Sequence, residues 1–168
     1  GLLSPTLFAQ MVNTISWISD GRVDLNIVAG ISPAEQAYYG DFCDHEARYA
    51  RTDEFLGLTG QLWNATAPIS HDGAFYQLKE AELGLNFKDG QTPGIYLSGG
   101  SATAQKVAEK HADCLLRYGD TPENLVEQAD GLHRQGLRLG IRMHIIARPT
   151  RAEALAFIDE MMAQSDEA

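Results

Sequence analysis

A regular alternation of helical and strand-like segments constrains this chain more than any other feature. Ser4 is a good N-cap and Pro5 suits a first helical position. Leu7, Phe8, Met11, Val12, Ile15 and Ile18 then recur at spacings of three and four, predicting a helix with one wide apolar face, closed by Gly21. Residues 23–28 are apolar and β-branched enough for a buried strand, and a Gly/Ser/Pro loop over 30–33 follows. A long helix is predicted over 45–64, with Tyr49, Phe55, Leu56, Leu62 and Trp63 inward. Residues 74–78 and 81–85 read as a short β excursion outside the main rhythm. The rhythm resumes with a strand at 95–97, a helix over 101–111 and a strand at 114–118. A helix opened by Thr121-Pro122-Glu123 runs to about 135, and a strand covers 139–147. The capping box of Thr150 and Glu153 starts a last helix, expected to bury Leu155, Ile158 and Met162.

Strands separated by helices pair in parallel through right-handed crossovers. The expected fold class is therefore α/β. The alternation leaves two architectures open, a doubly wound sheet and part of a (β/α)₈ barrel, and four main strands are too few to close the latter. The first residues read as a strand end running into a helix without an initiating methionine. The chain is thus expected to be a single domain over 1–168, incomplete at both ends.

Charge narrows the partners. With 13 Lys and Arg against 23 Asp and Glu, the formal net charge is −10. Such a mean field repels phosphate backbones and anionic bilayers, so neither nucleic acid nor membrane is an expected partner. No apolar run approaches eighteen residues and no basic-then-apolar leader is present. Cys43 and Cys114 lack a C-x-x-C spacing and read as small thiols of a reducing, cytoplasmic compartment, which makes Asn64-Ala65-Thr66 a chance sequon. His45 and His71 neighbour Asp44 and Asp72, but isolated His-Asp neighbours make no metal site, and none is expected.

Two stretches carry chemistry. In the 139–147 strand a period of two puts Ile141, Met143 and Ile145 on one face, and Gly140, Arg142, His144 and Ile146 on the other. An Arg and a His together on a buried strand must find partners or line a polar cavity; an edge strand would instead let both meet water. Asn26 falls on the corresponding face of the 23–28 strand. Leu97-Ser98-Gly99-Gly100-Ser101-Ala102 is a strand, a Gly-Gly turn and a helix start. Free amides and the helix dipole make it either an anion cradle or simply a tight turn needing small residues. It matches neither the dinucleotide G-x-G-x-x-G nor the nucleotide P-loop.

Several stretches together resemble the luciferase-like flavin-dependent monooxygenases, most closely the FMNH₂-dependent alkanesulfonate monooxygenase branch. They are Leu3-Ser4-Pro5-Thr6, the run Ser19 to Val28, Asp44-His45-Glu46-Ala47-Arg48-Tyr49 with Glu54-Phe55-Leu56, Tyr96 to Ser101, and Gly140 to His144. They occur in the family's order over nearly the whole chain. The resemblance implies a TIM barrel represented here by strands four to seven with their helices, holding FMN at its C-terminal mouth. It implies Asn26 beside the flavin ring, His45 and Tyr49 around FMN, and Gly99, Gly100 and Ser101 at its phosphate. It places Arg142 and His144 at the reacting end as the catalytic pair, Arg142 supporting negative charge and His144 acting as hydrogen-bond partner or proton donor. The implied enzyme is one half of a two-component system: a separate flavin reductase supplies reduced FMN, O₂ is the oxidant, and a small organic molecule is oxygenated. The full-length protein is expected to be a homo-oligomer. Ala29 and Tyr118 stand where the sulfonate branch usually has Thr and Trp, which leaves the substrate open. The alternatives are a deazaflavin (F420)-dependent hydride-transfer enzyme of the same superfamily and a truncated, non-catalytic product.

Overall fold

The computed structural model describes residues 3–30 and 32–165. Helix α1 (Pro5–Ile18) leads into strand β1 (Leu25–Val28), a short helix α2 (Pro33–Ala37) and the long α3 (His45–Asn64). A hairpin of β2 (Ile69–Asp72) and β3 (Gln77–Ala81) and a 3₁₀ turn (Lys88–Gly90) precede β4 (Ile95–Ser98). Helix α4 (Ala102–His111), β5 (Cys114–Tyr118), α5 (Pro122–His133), β6 (Arg138–Arg142) and α6 (Arg151–Ser165) complete the order.

The sheet decides between the two architectures. Its order is β1-β4-β5-β6, and every pair is parallel. Registered residues Ile27, Leu97, Leu115 and Leu139 form one row across all four strands. That row packs on Tyr49 and Leu56 of α3, Ala104, Val107 and Ala108 of α4, and Leu132 of α5. Helices from three successive crossovers thus cover one face. A doubly wound sheet reverses strand order and carries helices on both faces, so this is a singly wound barrel segment. It is not closed: β1 and β6 are both edges, and the opposite face, bearing Asn26, Val28, Tyr118 and Arg142, is open.

Local signals explain most boundaries. The Ser4 hydroxyl accepts from the Leu7 amide at 3.2 Å, and α1 ends where Asp20 and Gly21 take positive φ, with the Gly21 amide donating to the Ser16 carbonyl. Asp44 caps α3, Ser101 caps α4 and Thr121 caps α5. At the start of α6 the Thr150 hydroxyl accepts from the Glu153 amide, the first arm of the capping box, and donates to the Glu153 carboxylate, which takes that hydroxyl in place of the Thr150 amide.

Four expectations are corrected. The apolar face of α1 splits: Phe8 stacks on Phe55 at 5.1 Å and Val12 is buried, while Leu7, Met11, Ile15 and Ile18 are exposed. The inner face is instead Ala9, Val12, Asn13 and Ser16. Asn13 wins its interior place by donating to the Leu85 carbonyl and accepting from the Trp63 indole. Helix α6 buries none of Leu155, Ile158 or Met162, since it packs on no sheet face. The last strand stops at Arg142, because pairing with β5 ends at Tyr118↔Arg142 and nothing supports 143–147. The β excursion is real but shifted, its antiparallel pairing running Ile69↔Ala81 to Asp72↔Gln77. The loop after β1 also contains the unexpected α2, capped by Ser32 with Pro33 following.

Chain 38–44 is anchored on α3 by Arg51, whose guanidinium grips the Asp41 carboxylate, both side chains largely interior at 14% and 13% exposed. The hydrogen bond from Arg51 holds the Asp41 carboxyl well below the usual carboxylate range. A carboxyl depressed in the folded state contributes stability above its unfolded value of about 3.9 and loses it as pH falls below that. Asp41→Asn is expected to cost about 1.5–3 kcal/mol at neutral pH. In thermal melts the gap to the parent should close as pH drops below about 4.

The two free sheet edges and the bare apolar stripes predict self-association of these 168 residues expressed alone. Size-exclusion chromatography with light scattering checks this, and a monodisperse monomer would refute it.

Candidate active site

Val28, Ser98, Tyr118 and Arg142 are the last residues of the four parallel strands. All four line one cavity of about 360 Å³. Parallel strands leave together at one end of a sheet, and their following loops meet there, which is where α/β folds collect ligands.

Ala29 and Gly30 after β1 and three further segments build the remaining wall. The first turn of α3 supplies His45, Arg48 and Tyr49, spaced so that all three fall on one helix face. His45 and Tyr49 are in ring contact at 4.9 Å. The β4–α4 turn supplies Gly99, Gly100 and Ser101, and β5 adds Leu116 and Arg117. The Ser101 hydroxyl accepts from the Ala104 amide at 3.0 Å, so the amino-terminal turn of α4 opens at the wall. Arg142 lies over the Tyr118 ring, 5.4 Å from its centroid.

Charge in this cavity opposes the charge of the chain. Arg48, Arg117 and Arg142 line it with His45, and among the described residues no Asp or Glu does. Glu46 is nearby but faces solvent, 71% exposed, where it accepts from the Thr103 hydroxyl and pairs with His45 Nδ1 at 2.8 Å. Arginines and a helix amino terminus in a wall to which, among the described residues, no carboxylate contributes suit an anionic ligand.

Six of the residues singled out from sequence therefore meet in one cavity: His45, Tyr49, Gly99, Gly100, Ser101 and Arg142. Asn26 lies on the same sheet face but borders an adjoining cavity of about 260 Å³ with Arg51, Phe55 and Tyr76. It reaches the main cavity through Ser98, whose hydroxyl donates to Asn26 Oδ1 at 2.8 Å. His144 lies beyond the end of β6, exposed, and lines neither cavity. Sequence reasoning missed Arg48 and Arg117. The first could have been found from its spacing, three residues after His45 and one before Tyr49; the second, on the helix-facing side of β5, carried no signal.

Fold and cavity define the class, a singly wound parallel α/β segment with an arginine-lined cavity at the carboxyl ends of its strands. The sequence profile of the luciferase-like monooxygenases matches residues 1–167, and the chain belongs to that family. Among solved structures it is similar to the EDTA monooxygenase EmoA from Chelativorans sp. BNC1, with 21% identity and a TM-score of 0.80 over 96% of this chain and 44% of that one. The long-chain alkane monooxygenase LadA gives 21% identity and a TM-score of 0.78 over 94% of this chain and 43% of LadA. An F420-dependent secondary alcohol dehydrogenase bound to an F420-acetone adduct gives 22% and 0.68 over 82% of this chain and 44% of that one. The chain spans less than half the length of each of the three.

The β4–α4 turn makes a sharp prediction. A Cβ on Gly99 would lie 2.5 Å from the Ala104 Cβ and 2.8 Å from the Tyr49 hydroxyl, whereas one on Gly100 would meet nothing within 4 Å. Gly99→Ala should lower stability by about 1–3 kcal/mol through overpacking, and Gly100→Ala should leave the melting temperature nearly unchanged. Differential scanning calorimetry of the two variants decides it.

Proposed function

We propose that the protein is an FMNH₂- and O₂-dependent monooxygenase, with this chain carrying much of its flavin site. One observation carries the reading: a cationic cavity at the carboxyl ends of parallel strands, lined by no carboxylate among the described residues and opening on the amino terminus of α4. The residues present fit a phosphorylated flavin. Arg48, which lines the same cavity as the turn, has its Nε buried without a partner, and the space above Gly100 is open.

In this reading the Gly99-Gly100-Ser101 turn and Tyr49 hold the phosphate, and His45 closes the wall beside Tyr49. Asn26 and Ser98, hydrogen-bonded to each other, offer amide and hydroxyl groups to the ring. When bound, a reduced flavin supplies the electrons and the oxygen-activating chemistry. The protein orients it, keeps bulk water from the reacting end and presents charge there. Arg142 supplies that charge, steadying negative charge on oxygen or on an anionic substrate such as an alkanesulfonate. His144 serves as proton donor once the segment after β6 is drawn over the mouth. A separate reductase delivers the reduced flavin.

The F420-dependent reading also has a specific observation behind it, the fold shared with the alcohol dehydrogenase. Anaerobic titration of the full-length protein with reduced FMN and with reduced F420, followed by exposure to ¹⁸O₂, separates the two. Tight binding of reduced FMN and ¹⁸O in the product support the monooxygenase; hydride transfer with F420 alone defeats it. Arg142→Ala should lower kcat about 100-fold with the melting temperature nearly unchanged, since Arg142 is exposed. Parallel loss of stability and activity would make its role structural.

A further inference from the structure

We infer that Tyr118 is a positioning residue: the face of its ring holds the Arg142 guanidinium at the mouth with its donors free, and so sets where the reacting end receives positive charge. The effect on turnover rests on the function proposed above; the placing of the guanidinium does not.

The cavity arginines are held in different ways. Arg48 donates to the Cys43 carbonyl, and Arg117 donates to the side-chain carbonyls of Gln105 and Gln128. Arg142 has, among the described residues, neither an ion pair nor a side-chain hydrogen bond. What it meets is the Tyr118 ring, which lines the same cavity. Its guanidinium carbon stands 5.4 Å from the ring centroid, inside the roughly 6 Å range over which a cation is drawn to an aromatic face.

The sheet builds this contact. Tyr118 and Arg142 are the last registered pair of β5 and β6, and the Gly119 amide closes it by donating to the Arg142 carbonyl at 3.2 Å. The preceding pair on the same face is Leu116 and Gly140. A Cβ on Gly140 would lie 2.4 Å from Leu116 Cδ2, so the leucine reaches across β6 one layer below Arg142. That layer is apolar and offers the guanidinium no side-chain acceptor. The ring is the surface left to hold it.

A ring suits this place better than an acid would. A carboxylate would occupy the guanidinium donors and cancel the charge. An aromatic face attracts the charge through the ring quadrupole and leaves the planar N–H fork open at its edge. An arginine placed in advance and not neutralised needs little reorganisation when negative charge develops in front of it. The hydroxyl of Tyr118 takes no part, since among the described residues it forms no hydrogen bond.

The test uses the full-length protein with Tyr118→Phe, Tyr118→Leu and Arg142→Ala. NMR of arginine-labelled protein reads the contact, with the Arg142 signal assigned by its loss in Arg142→Ala. Its δ-methylene protons should be shifted upfield by the ring in the parent and in Tyr118→Phe, and should return to ordinary arginine values in Tyr118→Leu. With reduced FMN, O₂ and octanesulfonate, Tyr118→Leu should lower kcat about 5- to 30-fold with KM little changed. Tyr118→Phe should rescue most of that loss. Tyr118→Leu added to Arg142→Ala should lower kcat no further, because the two act as one unit. An unshifted Arg142 signal in the parent would overturn the inference, as would equal losses in Tyr118→Phe and Tyr118→Leu or additive losses in the double variant. If the parent does not turn over octanesulfonate, the monooxygenase reading fails for that substrate, and the ring shift alone decides whether Tyr118 places Arg142.

Discussion

The mouth of this protein exists because the row of Ile27, Leu97, Leu115 and Leu139 is covered by helices from one side only. With every crossover on the same face, all four strands must run the same way and leave together. Their last residues and the loops that follow are then gathered without any further instruction. Tyr49 ties this core to the site. Its ring is part of the buried cluster, and its hydroxyl approaches Gly99 so closely that no side chain fits there. The packing that stabilises α3 against the sheet also sets the height of the β4–α4 turn, so fold and site cannot be varied independently at these positions.

Much of this was legible in the sequence, for identifiable reasons. Long helix α3 and strand β5 have the predicted bounds because Asp44 caps one and the other is a compact apolar run between a helix end and a turn. The α1 face was misread because spacing reports which residues share a face and not which face turns inward. Asn13 and Ser16 look like surface residues until Leu85, Trp63 and Lys88 supply their hydrogen bonds from about fifty to seventy positions away. The end of β6 was misread because an apolar, β-branched run continues past the point where a neighbouring strand exists to pair with it. Strand propensity needs a partner to become a strand.

The same distinction between global and local quantities governs the electrostatics. A net charge of −10 is a property of the whole chain and sets the mean field that a distant polyanion meets. It says nothing about one cavity wall, where among the described residues three arginines and a histidine stand without a carboxylate. Acidic residues near the mouth are drawn off elsewhere: Asp41 onto Arg51, and Glu46 onto His45 and Thr103 at the surface. An acidic exterior around a cationic hollow concentrates the attraction for a small anion where it can be used.

Within that hollow the cations are not equivalent, and their burial sorts them by task. Arg48 is enclosed and held by a backbone carbonyl, so its charge is fixed in place. Arg142 stands at an open sheet edge against Tyr118, where solvent screens it until something covers the mouth. A screened charge contributes little to ground-state binding and gains strength once water leaves. If the function proposed above holds, loss of Arg48 is therefore felt in affinity and loss of Arg142 in turnover. The separation follows from which strand ends are covered by helix α3 and which are not.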